Sequence, residues 1–447
     1  MAKTLEINAQ SEWTNTEKLA FKFFGIYFFL QVLPLDGRFF KHLFSINWLN
    51  VGYADIFYLS KYAPSFVGND NFINWLIIAI IAGIGTFVWD SIYKKDINYD
   101  QLYYWIRVLV RYRLAIGVIA YGFLKFFPIQ SPIPSISNLN TEYGDFTAWK
   151  LFSLGLGVVP SYQSFLGLVE IVGGLLLLNR KTTTIATLII LPFAGNVAIS
   201  NIAYEGGEYV YAFYLISLAL YLFAFDAIRL FNLLSLEKPT LPNTFQPIFN
   251  KKWNQARVAI KFGYVLFFVI FYGLKTYGGY QKGGYHFPAQ KGLDNTAGLY
   301  NVSEFKWNNQ NIPYSKTDTI RWQNVVFEQW NTISIKSNKA VLLEHLPSEE
   351  IFKEDSLRVY ELSGSQGRHY YQYSVDPSKS TLSLSNKNVN HQNDKYTLSF
   401  KRLNDSTLVL SGVNTQHDSV YAVLNKINKK YLTFEAQKLG RRGVLKL

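Results

Sequence analysis

The chain has 447 residues, 49% of them hydrophobic and 17% aromatic, and carries 44 Lys+Arg against 31 Asp+Glu for a net charge of +13. With no cysteine, disulfides, iron–sulfur clusters and Cys-ligated zinc are excluded for this chain acting alone. Mean hydropathy is only +0.04, low for a chain that is membrane throughout, which suggests an apolar half joined to a polar one. A split near Tyr285 leaves 23 Lys+Arg against 16 Asp+Glu before it, and 21 against 15 after it. The positive charge is therefore spread over both halves, and no clustered nucleic-acid patch is expected.

The first 17 residues, MAKTLEINAQSEWTNTE, are polar and lack the pattern of a secretory signal. The first hydrophobic segment is expected to stay in place as an anchor. Spanning a bilayer takes roughly 20 apolar residues, and seven stretches qualify: 19–35, 72–89, 108–127, 161–178, 183–202, 209–225 and 258–274. Residues 36–71 are rich in aromatics, such as Phe39, Trp48 and Phe57. They read equally as an interfacial segment or as a loop with a buried helix.

Basic residues favour the cytoplasmic side. With the N-terminus inside, fifteen Lys and Arg fall on inner segments and four (Arg38, Lys41, Lys61, Lys150) on outer loops. The expected topology is seven spans with the N-terminus cytoplasmic and the C-terminal part extracytoplasmic, in a bacterial inner membrane. Asp226 and Arg229, three apart at the inner end of the sixth span, are expected to form an interfacial ion pair.

After the Gly/Tyr-rich hinge TYGGYQKGGYHF the pattern changes. Runs such as DTIRW, TISIKS, HYYQYSV, STLSLS, KYTLSF, STLVLSG and YLTFEA alternate polar with β-branched or aromatic residues. Short antiparallel strands follow, in a sandwich or small barrel, and the final LGRRGVLKL reads as a basic tail. The fold class is thus an α-helical membrane bundle followed by an all-β sandwich or small barrel. The domains are 1–285 and 286–447.

Ionisable groups inside apolar spans are expensive and point to function. Lys125 ends the third span, Glu170 sits inside the fourth, and Asn196 and Asn201 lie in the fifth. By helical rise, Glu170 is about 13 Å and Asn196 about 12 Å below the outer ends of their spans, and Lys125 about 5 Å in. The three can meet in the outer half of the bilayer. The arrangement reads either as a polar pocket for a small molecule or quinone head, with Glu170 exchanging protons, or as an ion pair holding helices together. Gly167, Gly173 and Gly174 read as close helix packing. Gln130 and Gln163, at the two ends of the long connection that starts PIQSPIPS, complete the candidate ligand-binding set. That connection either caps the pocket or is an exposed connector. The six histidines show no metal-ligand spacing and are expected on solvated surface.

The segments YGFLKFFPIQSPIPS, SFLGLVEIVGGLLLLNRKTTTIATLII and GNVAISNIAY resemble the DoxX-like membrane family. There a Gly-x-x-Lys helix precedes a Gly-x-x-Glu-x-x-Gly-Gly helix and an Asn-bearing one. The resemblance covers roughly residues 113–231, a DoxX-like four-helix core, and the whole layout is similar to Bacteroidetes-type members with a β-rich tail. It implies Lys125, Glu170, Asn196 and Asn201 as the family's polar positions. The family includes a subunit of a thiosulfate:quinone oxidoreductase and partners in oxidant defence, so the resemblance implies a redox-associated subunit with a bound quinone or other membrane or periplasmic protein partners. The chain shows no cofactor motif and departs from thiol chemistry by having no cysteine. The other reading is a non-enzymatic envelope protein whose β domain binds a ligand or partner.

Overall fold

The computed structural model describes residues 13–68, 71–92, 97–241, 245, 247, 251–344 and 350–439. His345, most of the N-terminal polar segment and nearly all of the basic tail lie outside these. The helices are α1 Asn15–Val32, α2 Gly37–Ser45, α3 Tyr53–Ser60, α4 Ile73–Ile92, α5 Tyr99–Phe126, α6 Ile136–Leu139, α7 Ala148–Val158, α8 Pro160–Leu177, α9 Thr183–Ala203, α10 Tyr209–Leu234, α11 Lys251–Val265, α12 Tyr272–Gln281 and α13 Leu432–Leu439. A π-helical turn, Leu266–Phe271, joins α11 to α12.

Contacts divide the chain into two units. One runs through Phe127 and resumes over Ser164–Gly278, and the other combines Pro128–Gln163 with everything from Gly279 onward. A single cut near Tyr285 therefore misses the return of the long connection to the C-terminal unit.

Among the described residues, six helical segments are long and apolar enough to cross a membrane. The expected third span, α5, is not among them, because Arg107, Arg111, Arg113 and Lys125 load it with charge. At 28 residues it is still long enough to cross a membrane, and it is the central helix. Val110, Leu114, Ala115 and Val118 are buried in one core with Phe28 of α1, Ile190 of α9 and Leu218 of α10. A helix wrapped by others meets little lipid, so it tolerates cations that have protein partners. Arg113 has them: Nη2 donates to the Tyr62 carbonyl and the Tyr211 hydroxyl, and the guanidinium lies 4.0 Å from the Tyr62 ring centroid. Of the aromatic stretch 36–71, α3 is buried and α2 is not.

In the second unit, nine strands form one antiparallel sheet: β1 Gly298–Trp307, β2 Gln310–Asn311, β3 Asn324–Phe327, β4 Thr332–Lys336, β5 His369–Asp376, β6 Thr381–Asn386, β7 Lys395–Arg402, β8 Thr407–Asn414 and β9 Ser419–Ile427. The two-residue β2 merely extends the β1 hairpin, and β1 also pairs with β9 from Leu299↔Ile427 to Trp307↔Val420. The result is a closed eight-stranded barrel. Phe305, Phe327, Ile333, Leu382, Leu398 and Leu424 fill its interior.

Two expected strands are absent. In DTIRW, the Asp318 carboxylate accepts from the Ile320 and Arg321 amides, and Arg321 donates to the Ile312 and Val302 carbonyls. Those bonds make a polar turn, and Trp322 drops into the barrel core. YLTFEA forms α13, because the β1–β9 pairing has already closed the ring and left no edge to extend.

Candidate functional site

In the helical unit, α5 and α8 cross at glycines. A Cβ on Gly167 would lie 2.2 Å from the Phe126 amide nitrogen and 2.4 Å from the Gly122 carbonyl oxygen, and one on Gly174 would lie 2.4 Å from Ile119 Cγ1. That contact brings Lys125 to Glu170, whose Oε1 accepts from Nζ at 2.6 Å with both side chains about 10% exposed. Nζ also lies 5.4 Å from the Phe193 ring centroid. The other carboxylate oxygen, Oε2, is buried without a partner among the described residues.

The remaining predicted site residues do not join this pair. Asn196 is exposed on α9. Asn201 caps the α9–α10 turn: Nδ2 donates to the Val197 carbonyl and Oδ1 accepts from the Glu208 amide. Gln130 and Gln163 belong to the barrel unit. The glycines pack helices as expected, and Asp226 pairs with Arg229 at 3.1 Å.

The barrel unit holds a site the sequence did not announce. Residues 128–136, PIQSPIPSI, carry three prolines, which favour an extended chain with few amide donors. Side chains therefore hold this strap. Gln163 bonds both backbone groups of Ser131, and His286 bonds the Ile129 carbonyl over 2.6 Å. At the strap's end, Ser135 caps α6 through the Asn138 amide.

Glu328, in the turn between β3 and β4, accepts from the Ile136 and Ser137 amides and the Ser137 hydroxyl. Ser137 Oγ meets Ser334 Oγ at 2.8 Å, and Arg368 Nε donates to Ser334 Oγ at 2.8 Å. Since Ser137 gives its proton to Glu328, Ser334 donates to Ser137. A buried guanidinium thus reaches a buried carboxylate through two hydroxyls. Burial pushes the Glu328 carboxyl up to about 6 against the pull of the Ser137 donors.

A cavity of about 440 Å³ is lined by the strap with its Ser131 and Ser135, by Phe287 and Trp330, by Tyr431 and Phe434, and by Glu328, Gln329 and His286. Phe287 and Trp330 stack with centroids 4.1 Å apart. His286 is buried between Tyr285 and Tyr360, at ring distances of 4.1 and 4.7 Å. Burial pushes its imidazole down to about 3, opposed by the Ile129 carbonyl. It is therefore neutral, with its proton on Nε2 facing that carbonyl, so Nδ1 is an acceptor, and it has no partner among the described residues.

Beside this site, Lys150 Nζ donates to the Tyr360 carbonyl, and burial pushes its ammonium down to about 7 despite Glu361. Glu361 Oε1 accepts from Trp330 Nε1 and Lys387 Nζ.

Two histidines expected at the surface, His286 and His369, are buried. Each donates its Nε2–H to a backbone carbonyl in the C-terminal unit, which satisfies a ring nitrogen away from water. No group of three or more His, Asp or Glu that could hold a metal ion occurs among the described residues. The one signal that pointed to this region was the proline run, which walls a cavity of the barrel unit.

Fold and site together define a helical membrane protein with a closed β-barrel and, in the barrel unit, a largely apolar cavity. No protein-family model, curated protein or solved structure matches the chain.

Proposed function

We propose that this is a membrane-anchored binding protein whose barrel unit takes a small, largely apolar molecule bearing an O–H or N–H donor. The observation that carries this reading is His286, which lines a mostly apolar cavity and whose buried Nδ1 has no hydrogen-bond partner among the described residues. A volume of about 440 Å³ falls in the range of small-molecule sites, roughly 300–1,000 Å³, where a few placed polar groups fix orientation. Glu328 is engaged by the strap, so His286 is the ligand's acceptor. The bias of basic residues supports a bacterial inner-membrane protein with its N-terminus cytoplasmic and its barrel unit extracytoplasmic.

The test is native mass spectrometry of the intact protein in mild detergent, followed by solvent extraction. Wild type should carry a small apolar compound that His286→Phe loses while the fold is retained. If neither protein carries one, the reading fails.

A second reading, a quinone-interacting or redox-associated subunit of DoxX-like type, has its own support. Glu170 Oε2 is buried without a partner among the described residues, and a carboxyl oxygen bonds a carbonyl when protonated or a hydroxyl when ionised. The same extraction decides it: a quinone retained by wild type and lost in Glu170→Gln, but kept by His286→Phe, places the ligand in the helical unit.

A further inference from the structure

At the other end of α5, about 21 Å from Lys125 by helical rise, the helical unit concentrates positive charge in a concave place. One cavity of about 520 Å³ is lined by Arg107, Arg111, Arg180, Lys181 and Arg229 against, among the described residues, the one carboxylate of Asp226. Asp226 is already engaged, by Arg229 at 3.1 Å and by the Thr184 hydroxyl. A second cavity, about 760 Å³, shares Tyr104, Val108, Arg111 and Arg180 with the first. Among the described residues, no carboxylate lines it.

Two features separate this from an ordinary band of cations at a membrane edge. Arg107 and Arg111 are one turn apart on α5, where like charges repel. The Nε of each is buried and has no hydrogen-bond partner among the described residues. Arg107 is held in place by Phe225, whose ring centroid lies 3.2 Å from its guanidinium carbon. A desolvated guanidinium whose Nε–H is unmet calls for an anion. The walls are also apolar: Leu188, Leu222 and Leu233 in the first cavity, and Leu109, Ile116 and Ile260 in the second.

We propose that these cavities form a binding site for an anionic phospholipid. Its phosphate sits on Arg111 and Arg180, where the two cavities meet, and its two acyl chains divide between them. Basic pockets between membrane helices take phosphate headgroups in this way. The inference is independent of the barrel cavity and of the Lys125–Glu170 pair.

The experiment uses the intact protein, delipidated in mild nonionic detergent and challenged with phosphatidylglycerol, phosphatidylcholine or inorganic phosphate, with native mass spectrometry as the readout. Phosphatidylglycerol should be retained at least about tenfold better than phosphatidylcholine, because only the former leaves net negative charge on the seat. Arg111→Gln with Arg180→Gln should weaken it roughly thirtyfold. Arg180→Gln alone, in an exposed turn, should weaken it measurably without touching the core. Lys252→Gln, exposed and outside both cavities, should change nothing. Equal retention of the two lipids, or retention unaltered in Arg180→Gln, overturns the proposal. So does displacement of phosphatidylglycerol by submillimolar inorganic phosphate, which assigns the seat to a free anion.

Discussion

Gln163 holds Ser131 by both of its backbone groups. Its Nε2 donates to the Ser131 carbonyl at 2.9 Å, and its Oε1 accepts from the Ser131 amide at 3.1 Å. Ser131 is buried in a proline-flanked segment, so no neighbouring amide can take over. Gln163→Leu should cost about 1–3 kcal/mol by leaving a buried donor and acceptor unmade. Gln163→Glu, which keeps the acceptor, should cost less. Thermal unfolding of the two variants in detergent measures the order.

The α5–α8 crossing rests on the absence of a side chain at Gly167. A methyl group there would overlap the backbone of Phe126 and Gly122, and backbone cannot swing aside. Gly167→Ala should destabilise the helical unit by about 2 kcal/mol or more through forced separation of the helices. Gly195→Ala on α9, where a Cβ meets nothing within 4 Å, should be neutral or stabilise by up to about 1 kcal/mol. Equal effects would show that the crossing is not tight.

Removing one partner of the Lys125–Glu170 pair strands a buried charge, which typically costs about 3–5 kcal/mol. Lys125→Met and Glu170→Leu should each be costly, and the double variant close to wild type. A double variant as unstable as the sum of the singles would show that the two do not depend on each other. Thermal denaturation of all four proteins completes the cycle.

The barrel unit's stability should follow three buried groups through pH. For His286, held down at about 3 from an ordinary 6.5, the unfolded chain takes up the proton first. Its contribution, on the order of 5 kcal/mol, is present above pH 6.5 and lost as pH falls toward 3. For Glu328, raised from 4.5 to about 6, the folded state holds the proton longer. Its contribution, about 2 kcal/mol, is full below pH 4.5 and lost as pH rises to about 6. Lys150, lowered from 10.5 to about 7, adds stability as pH rises from about 7 to 10.5. Glu328→Gln should therefore steepen the rise between pH 4.5 and 6, and Lys150→Met should flatten it above 7. Melting temperature against pH for both variants is the measurement.

The barrel unit is built from two pieces of sequence. Without residues 128–163, Glu328 loses the Ile136 and Ser137 donors, and Tyr360 loses Lys150. A fragment covering 279–439 should melt well below the same fragment supplied with a 128–163 peptide, and the peptide should raise its melting temperature in proportion to RT ln(1 + concentration/Kd). No shift on adding peptide would show that the strap is dispensable.

Much of this was legible because its signal is local. Apolar runs marked the six helices, among the described residues, that are long and apolar enough to cross a membrane, and alternation marked β4 to β8 in TISIKS, HYYQYSV, STLSLS, KYTLSF and STLVLSG. The misses have local causes too. In β1 the register shifts between Val302 and Glu304, which breaks the period of two. In β9 both the inward Val420 and Leu424 and the outward Tyr421 and Val423 are apolar, so no alternation shows. Lys125 and Glu170 were foreseen as partners because each is the one charged residue of a long apolar run, 114–139 and 151–179. The Glu328–Ser137–Ser334–Arg368 chain was not, because its members lie in segments nearly 200 residues apart and no spacing rule links them.

The barrel closes by pairing β1 with β9, and that sets an order of events. The first strand to leave the ribosome is the one that must wait longest, since Leu299 meets its partner only when Ile427 has been made. Until then β1 and the newest strand are both open rims. Every chain that stops short of β9 therefore presents two unpaired β-edges to its surroundings, a mark by which a chaperone or protease can tell an unfinished molecule from a finished one.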